Sequence, residues 1–451
     1  MLDRGRLLFL FCSFLVIALV ATGSLVAASA REDSGADDSP YKFLSVFLEV
    51  FGLIDKAYVD EPDESVLLAG AFEGAVDALD PFSLYVPKEA VPGWQSARSI
   101  GTEHSGLLVL KERGVAFAVA VEEGSPADRA GIEAGDILAA IDGRRTRREP
   151  LYEIHRMLSA PAGTTMDVEL LRRGRKSHVD LVLGEYPRPA VSLSVEDGVP
   201  VLRIPSLDEG AATDVAGSLE ALRGGSLDGV ESTDRLLIDL RGVAGGSKAE
   251  AFAIADLLTQ GDLGTLVRRD ETLETYRADD EPSWSGRLVL LVNRSTQGAA
   301  EVLATVLRQT AEAQLVGERT FGHAGRLHVI DLSDGGQLQI TTAFYTGPDL
   351  EPIHTSLQPD HRVRSFVPAP VEPIEAEGDD AAGEDAVGEA AAEPNAVDEP
   401  ADDAGEAGDG SVEDGLLDDS LLDEADPVLE RGLEILLQDD SEEAELEAVA
   451  A

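Results

Sequence analysis

From Tyr41 onward, apolar positions recur at three- and four-residue spacing, at Phe43, Val46, Phe47, Val50, Phe51 and Ile54, which predicts an amphipathic helix. A second helix is expected from about Asp63 to Leu79, stopping before Asp80-Pro81 because proline disfavours helix in the residue ahead of it. Together they make an N-terminal helical segment over 41–95. Over 101–184 the period shortens. Gly106–Leu110, Val115–Val121 and Ile137–Ile141 read as strands, with a helical turn opening at Gly124-Ser125-Pro126-Ala127. Tyr152–Leu158 reads as a helix, and Met166–Leu171 and Ser177–Leu183 flank a hairpin signal at Arg172-Arg173-Gly174-Arg175. From 190 to 365 the apolar runs Leu236–Leu240 and Leu288–Val292 each precede a helical pattern, Ala249–Leu258 and Ala299–Gln309. Strand–helix alternation predicts an α/β core with a mixed sheet.

Charge changes the picture at both ends of the chain. Residues 371–451 hold 30 Asp and Glu against one Arg, whereas the 451-residue chain as a whole carries −50. Residues 371–425 bury too little apolar surface to offset chain entropy and are expected to be disordered. Residues 426–437 regain helical spacing and predict a short C-terminal helix. So acidic a molecule excludes nucleic acid as a partner, because phosphate binding needs a basic surface. At the other end, Arg4 and Arg6 precede an uncharged run, Leu7–Ala30, that finishes in Ala28-Ser29-Ala30. A basic start, an apolar centre and small residues at the end predict export, with residues 1–30 either a cleaved signal peptide or a retained membrane anchor. Both alternatives place the remainder outside the cytoplasm: periplasmic or otherwise extracytoplasmic, soluble after cleavage or anchored through 7–30. The single cysteine, Cys12, lies in this run, which leaves the folded part without a disulfide, a cysteine zinc site or a thiol nucleophile. No metal site and no cofactor is expected.

Seven ordered segments carry a resemblance. They are Leu79–Tyr85 (LDPFSLY), 122–143 (EEGSPADRAGIEAGDILAAIDG), 236–246 (LLIDLRGVAGG), 291–304 (LVNRSTQGAAEVLA), 316–325 (VGERTFGHAG), 356–363 (SLQPDHRV), and the helical entry that begins at Asp55. In this order they resemble the carboxyl-terminal processing (tail-specific) serine peptidases, a PDZ-containing family (S41), from about Tyr41 to Val363. The resemblance implies a multi-domain α/β protein: a helical entry, a PDZ-like domain over 101–184 and a protease-like core over 190–365.

It also implies a chemistry, acyl transfer by a Ser–Lys pair, in which a partly desolvated lysine takes the proton of a weakly nucleophilic serine. Counting back from Glu301-Val302 puts the family's serine position at Ala300. The lysine position after Thr320-Phe321-Gly322 is His323, and the position that orients the lysine is Leu327. All three depart from the pattern, while Gly245 and Gly246 keep the oxyanion loop. The expectation is therefore a non-catalytic, peptide- or protein-binding pseudoprotease on a serine-peptidase scaffold. The alternative is an active serine endopeptidase that uses displaced residues, Ser295 with His323.

Each candidate has a plainer reading. Ser295 or Thr296 caps the helix that follows, His323 is a loop histidine, and Ser247 with Glu250 is a capping box rather than half of a Ser247-Lys248 dyad. Asp239 and Arg241 pair internally. In the PDZ-like domain the loop Ser105-Gly106-Leu107-Leu108 matches the segment that takes an extended C-terminus by strand addition, so peptide or protein C-termini are the expected partners. A second copy of the chain and an active paralogue stand beside them. Arg144, Arg145, Arg147, Arg148, Arg172, Arg173, Arg175 and Lys176 cluster on two turns and read either as solvated loops or as an anion-attracting face.

Overall fold

The computed structural model describes residues 40–364, apart from 226, 231, 232, 279 and 280, together with 426–450. Residues 1–30 and 371–425, where export and disorder are expected, lie outside the described residues. The chain divides into two units, one ending at Ala75 and one beginning at Val76. The first carries α1 (Pro40–Ala57) and most of α2 (Glu64–Asp77). Asp63 starts α2 by accepting from the N–H of Ser65 at 2.9 Å and of Val66 at 3.4 Å.

In the second unit, β1 (Leu84–Val86) and α3 (Val91–Ile100) precede the β-rich domain. That domain consists of β2 (Leu107–Glu112), β3 (Val115–Val121), α4 (Pro126–Arg129), β4 (Ile137–Ile141), β5 (Arg144–Arg145), α5 (Leu151–Leu158), β6 (Thr165–Arg172) and β7 (Arg175–Val182). Its sheet runs β2-β3-β4-β6-β7, with β5 paired to β4, so β2 is an edge strand. Alternate residues Val168, Leu170, Leu138 and Leu181 turn inward with Ile154 and Leu158 of α5. Part of the expected basic face is already paired. Arg144 meets Glu149 and Glu153, Arg172 meets Glu133 and Asp136, and Lys176 meets Glu169.

The core comprises β8 (Ser192–Glu196), β9 (Val199–Arg203), α6 (Ala211–Arg223), β10 (Arg235–Asp239), α7 (Lys248–Leu258), β11 (Gly261–Arg268), β12 (Glu271–Ala278), β13 (Arg287–Val292), α8 (Ala299–Thr310), β14 (Gln314–Gly317), β15 (Gly325–Asp331), β16 (Gln337–Tyr345), β17 (His361–Arg362) and α9 (Pro427–Ala450). One sheet runs β17-β14-β13-β10-β9-β8 and is parallel except for the β8–β9 pair. Strands of a parallel sheet covered on both faces read as continuous apolar runs, and both faces of this one are covered. Leu236, Ile238, Leu288 and Leu290 pack under α6, α7 and α8. Leu237, Val289 and Leu291 face Val428, Leu433, Ile435 and Leu436 of α9. The expected helix at 426–437 thus forms, extends further, and seals a sheet face. Asp426 caps it, accepting from the N–H of Val428 and of Leu429, and also pairs with Arg241 at 2.8 Å. Arg241 in turn holds Asp239 at 2.7 Å, the expected internal pair.

A second, antiparallel sheet runs β1-β16-β11-β12, with β15 on β16. The β-rich domain rests against the core through a shared apolar cluster that includes Leu110, Val119 and Leu151 on one side and Phe82, Leu84 and Trp94 on the other.

Candidate functional site

Open parallel sheets bind ligands at the carboxyl ends of their strands, and the loops after β10 and β13 meet there. Asn293 begins the second loop, and its Oδ1 accepts from the N–H of Gly242 and of Ser295, each at 3.1 Å. Thr296 Oγ1 accepts from the Asn293 N–H and donates to the Leu240 carbonyl, both at 3.0 Å. The Gln297 N–H donates to the Val243 carbonyl at 2.9 Å. These bonds stitch the two loops together and deliver the chain to Gly298 at φ 60°, ψ −104°, from which α8 departs. A residue with a side chain pays strain in that left-handed region.

Glu301, in the first turn of α8, is wholly buried. Its carboxylate accepts from the N–H of Gly298 at 3.0 Å, of Gly322 at 2.6 Å and of His323 at 2.9 Å, and from the Thr320 hydroxyl. Burial pushes its pKa up, against the pull of these four donors. The arrangement locks the helix start to the 320–323 loop. The cap of α8 is therefore Glu301 reaching back to Gly298, not Ser295 or Thr296. Ser295 is 2% exposed, and its Oγ donates to the Val119 carbonyl of β3 at 2.6 Å, a tie between the β-rich domain and the core.

Ser247 and Lys248 separate in role. Ser247 Oγ accepts from the Ala249 N–H at 3.2 Å, so the expected cap is present. The reciprocal half of the box is not made, because Glu250 accepts from the Ala212 N–H instead. Lys248 sends its side chain into the cleft. Its Nζ lies 3.5 Å from where a Cβ on Gly298 would stand. Burial lowers the Lys248 pKa, opposed by the charge of Glu301.

His323 lies in the same cleft, 9% exposed, stacked on Phe82 at 4.1 Å and edge-on to Phe344. Its Nε2 is 3.3 Å from Thr341 Oγ1. Burial drives its pKa down to about 4, with Asp80 pulling upward and Lys248 pushing further down, so the ring is neutral at pH 7.

Lys248, Gln297, Gly298, His323, Gly245 and Leu327 line a cavity of about 240 Å³, whose remaining wall is Phe82, Leu84, Leu108, Leu110, Leu151, His155, Ala244, Gly325 and Gln339. None of these residues carries a hydroxyl or a thiol. Ala300 is not among them. It is fully buried in α8 as part of the core. Counting along the sequence placed the serine position at Ala300, but α8 turns that residue inward. Gly298, at the mouth of the helix, is the position that faces the amine. His323, Leu327 and Gly245 are brought together as expected; Gly246 lines the neighbouring crevice instead. Ser295 is held elsewhere. Lys248 was legible only as the partner of Ser247.

The loop of the β-rich domain expected to take a peptide is engaged by its own atoms. The N–H groups of Ser105 and Gly106 donate to the Thr102 carbonyl at 3.2 and 2.7 Å, and that of Leu107 donates to Ser105 Oγ at 3.2 Å. Gly106 has no room for a side chain, since a Cβ there would stand 2.0 Å from Ser125 Cβ. Beside the β2 edge, α3 contributes Trp94 and Ala97 to a pocket of about 180 Å³ that also borders Leu107, Leu108 and Leu158. His155 Nε2 bonds the Val109 carbonyl at 2.8 Å, and Ser159 Oγ donates to the Ala97 and Gly101 carbonyls.

Among the described residues there is no cluster of His, Cys, Asp and Glu able to hold a metal ion, and no helix is long and apolar enough to cross a membrane.

Comparison with known proteins agrees with this architecture. Residues 198–363 match peptidase family S41, and residues 117–172 match a PDZ domain. The chain thus contains a region of the peptidase family S41 type and a PDZ domain. It is 26% identical over 348 residues to a carboxy-terminal-processing protease of Bartonella bacilliformis, covering 74% of this chain and 78% of that one. It is 26% identical over 363 residues to a carboxy-terminal processing protease of Bacillus subtilis, covering 77% and 75%. Among solved structures, the photosystem II D1 C-terminal processing protease superposes with a TM-score of 0.58 at 23% identity, over 71% of this chain and 92% of that one, a likeness of fold.

Proposed function

We propose that this protein is an exported, non-catalytic S41 member that binds peptides or protein C-termini without cutting them. One observation carries the reading: the cavity that gathers Lys248, His323 and the Gly245 loop is lined by no hydroxyl and no thiol. Acyl transfer needs an attacking atom, and an oxyanion loop without one leaves only modest catalysis over water. The names of the relatives, processing proteases that act at carboxyl termini, support polypeptide C-termini as the ligand class. A second copy or an active paralogue remains a fitting partner for a subunit of this kind. The direct test is a serine-directed phosphonate probe, which the purified full chain should leave unreacted. Covalent label on any serine, abolished by Ser295→Ala, would establish the active alternative.

Export rests on Arg4, Arg6 and the run Leu7–Ala30. A reporter that is active only in the cytoplasm, fused after residue 60, should stay silent. A bright reporter would remove the extracytoplasmic placement.

A further inference from the structure

We propose that the cavity at Gly298 is a receptor for the last residue of a peptide, with the terminal carboxylate held by Lys248; this rests on the non-catalytic reading above. Three features of the cavity each specify part of such a ligand. Lys248 Nζ faces the space beside Gly298 and has no hydrogen-bond or ion-pair partner among the described residues. It is the only Lys, Arg, Asp or Glu side chain on the lining. A buried amine with no carboxylate on the wall gains from an incoming anion, which favours its ammonium form against the burial that disfavours it. Gln297, 5% exposed on the same wall, has a buried Oε1 with no partner among the described residues, an acceptor that a ligand N–H would satisfy. Leu110 and Leu327 make part of the wall apolar. An anion, an N–H and an apolar side chain within a few bonds of one another describe the C-terminal residue of a polypeptide with a free carboxylate.

Space allows it. At about 240 Å³ the cavity far exceeds the ~30 Å³ share of one water. It shares Ala244 and Gly245 with a larger crevice of about 400 Å³, which gives the rest of a peptide a way out. The missing side chain at Gly298 leaves open the place beside the Lys248 amine. By contrast, the N–H groups of the PDZ loop at Ser105, Gly106 and Leu107 are already used within the domain.

The test uses the full chain and a fluorescein-labelled decapeptide ending in leucine, made as the free acid and as the C-terminal amide. Free acid should bind at least tenfold more tightly than amide. Lys248→Met should reduce the free acid to the level of the amide, and Lys248→Arg, which keeps the charge, should retain much of the preference. A second measurement needs no variant: the same peptide ending in an aldehyde is added with cyanoborohydride. The Lys248 amine attacks the aldehyde carbon, water leaves to give an imine, and hydride from the borohydride reduces it to a stable secondary amine. Mass spectrometry should map that adduct to Lys248. Free-acid preference that survives Lys248→Met, with no adduct at Lys248, overturns this inference while the peptide-binding reading stands, the PDZ domain then being the receptor. Binding of neither peptide overturns both. Cleavage of either peptide overturns the non-catalytic reading itself.

Discussion

A hydroxymethyl group at Gly298 would stand beside the Lys248 amine, since a Cβ built there lies 3.5 Å from Nζ with no closer neighbour. Gly298→Ser should therefore assemble a Ser–Lys pair in one step, at a strain cost of about 1–3 kcal/mol for a backbone at φ 60°, ψ −104°. Weak labelling by a serine-directed phosphonate is the expected outcome, lost again in the double variant with Lys248→Met. Ala300→Ser should gain nothing, because that side chain points into the core, where an unpaired hydroxyl costs about 1–3 kcal/mol. Labelling of the Ala300→Ser protein but not the Gly298→Ser protein would return the nucleophile position to 300.

His323 makes a separate prediction on stability. Its pKa is about 4 when folded against an ordinary 6.5. Between those values the unfolded chain binds the extra proton, so stability is complete above the ordinary value and drains away as pH falls toward 4. At ~1.36 kcal/mol per unit the loss is about 3 kcal/mol at most. Chemical denaturation at pH 7 and pH 4 should show a smaller loss for His323→Gln than for the unaltered protein. His155, also buried and lowered, contributes in both and cancels in the difference. An equal acid loss in the two proteins would mean that His323 is not held neutral.

Among the elements, α9 shows how much sequence pattern reveals and where it stops. The spacing of Val428, Leu433 and Leu436 signals a helix, but nothing local says that its partner is the face of β10 and β13 some 140 to 200 positions earlier. The strands were legible for the same reason that they are buried: β10 and β13 are continuous apolar runs. The antiparallel sheet of β11, β12, β15 and β16 was not legible strand by strand, because its residues are mostly half-exposed and mixed in polarity. The site was partly legible. The segments framing it are regular enough to fix His323 and Leu327. Which residue of the Gln297–Ala300 stretch faces the amine depends on where α8 starts its turn, and the Lys248 side chain crosses to a strand-end loop that is distant in sequence. Neither fact is local. Docking of α9 has a measurable consequence. Leu436→Ala, at a position 2% exposed, should cost about 2–5 kcal/mol in denaturant unfolding. A loss under about 0.5 kcal/mol, the range of a surface change, would show that α9 does not seal the sheet in solution.

At the scale of the whole molecule, a protease-like architecture surrounds a cavity whose lining holds no hydroxyl and no thiol. The parallel sheet, the stitched loops, the buried Glu301 clasp and the PDZ contact through Ser295 and Val119 all hold a cleft in place. The cleft then presents an amine and an unpaired amide oxygen on its wall beside Gly298. On the proposed reading, such a molecule keeps the means to receive a chain end and lacks the means to cut it. Loss of a nucleophile of this kind costs on the order of a millionfold in turnover, so the effect is visible in any sensitive assay. The most direct measurement is the incubation of purified full-length protein with an unfolded protein substrate, with mass spectrometry reading new termini over several hours. The expected result is an intact substrate, indistinguishable from the incubation without protein. New termini that appear in proportion to the protein added, and disappear with Ser295→Ala or His323→Gln, would contradict it.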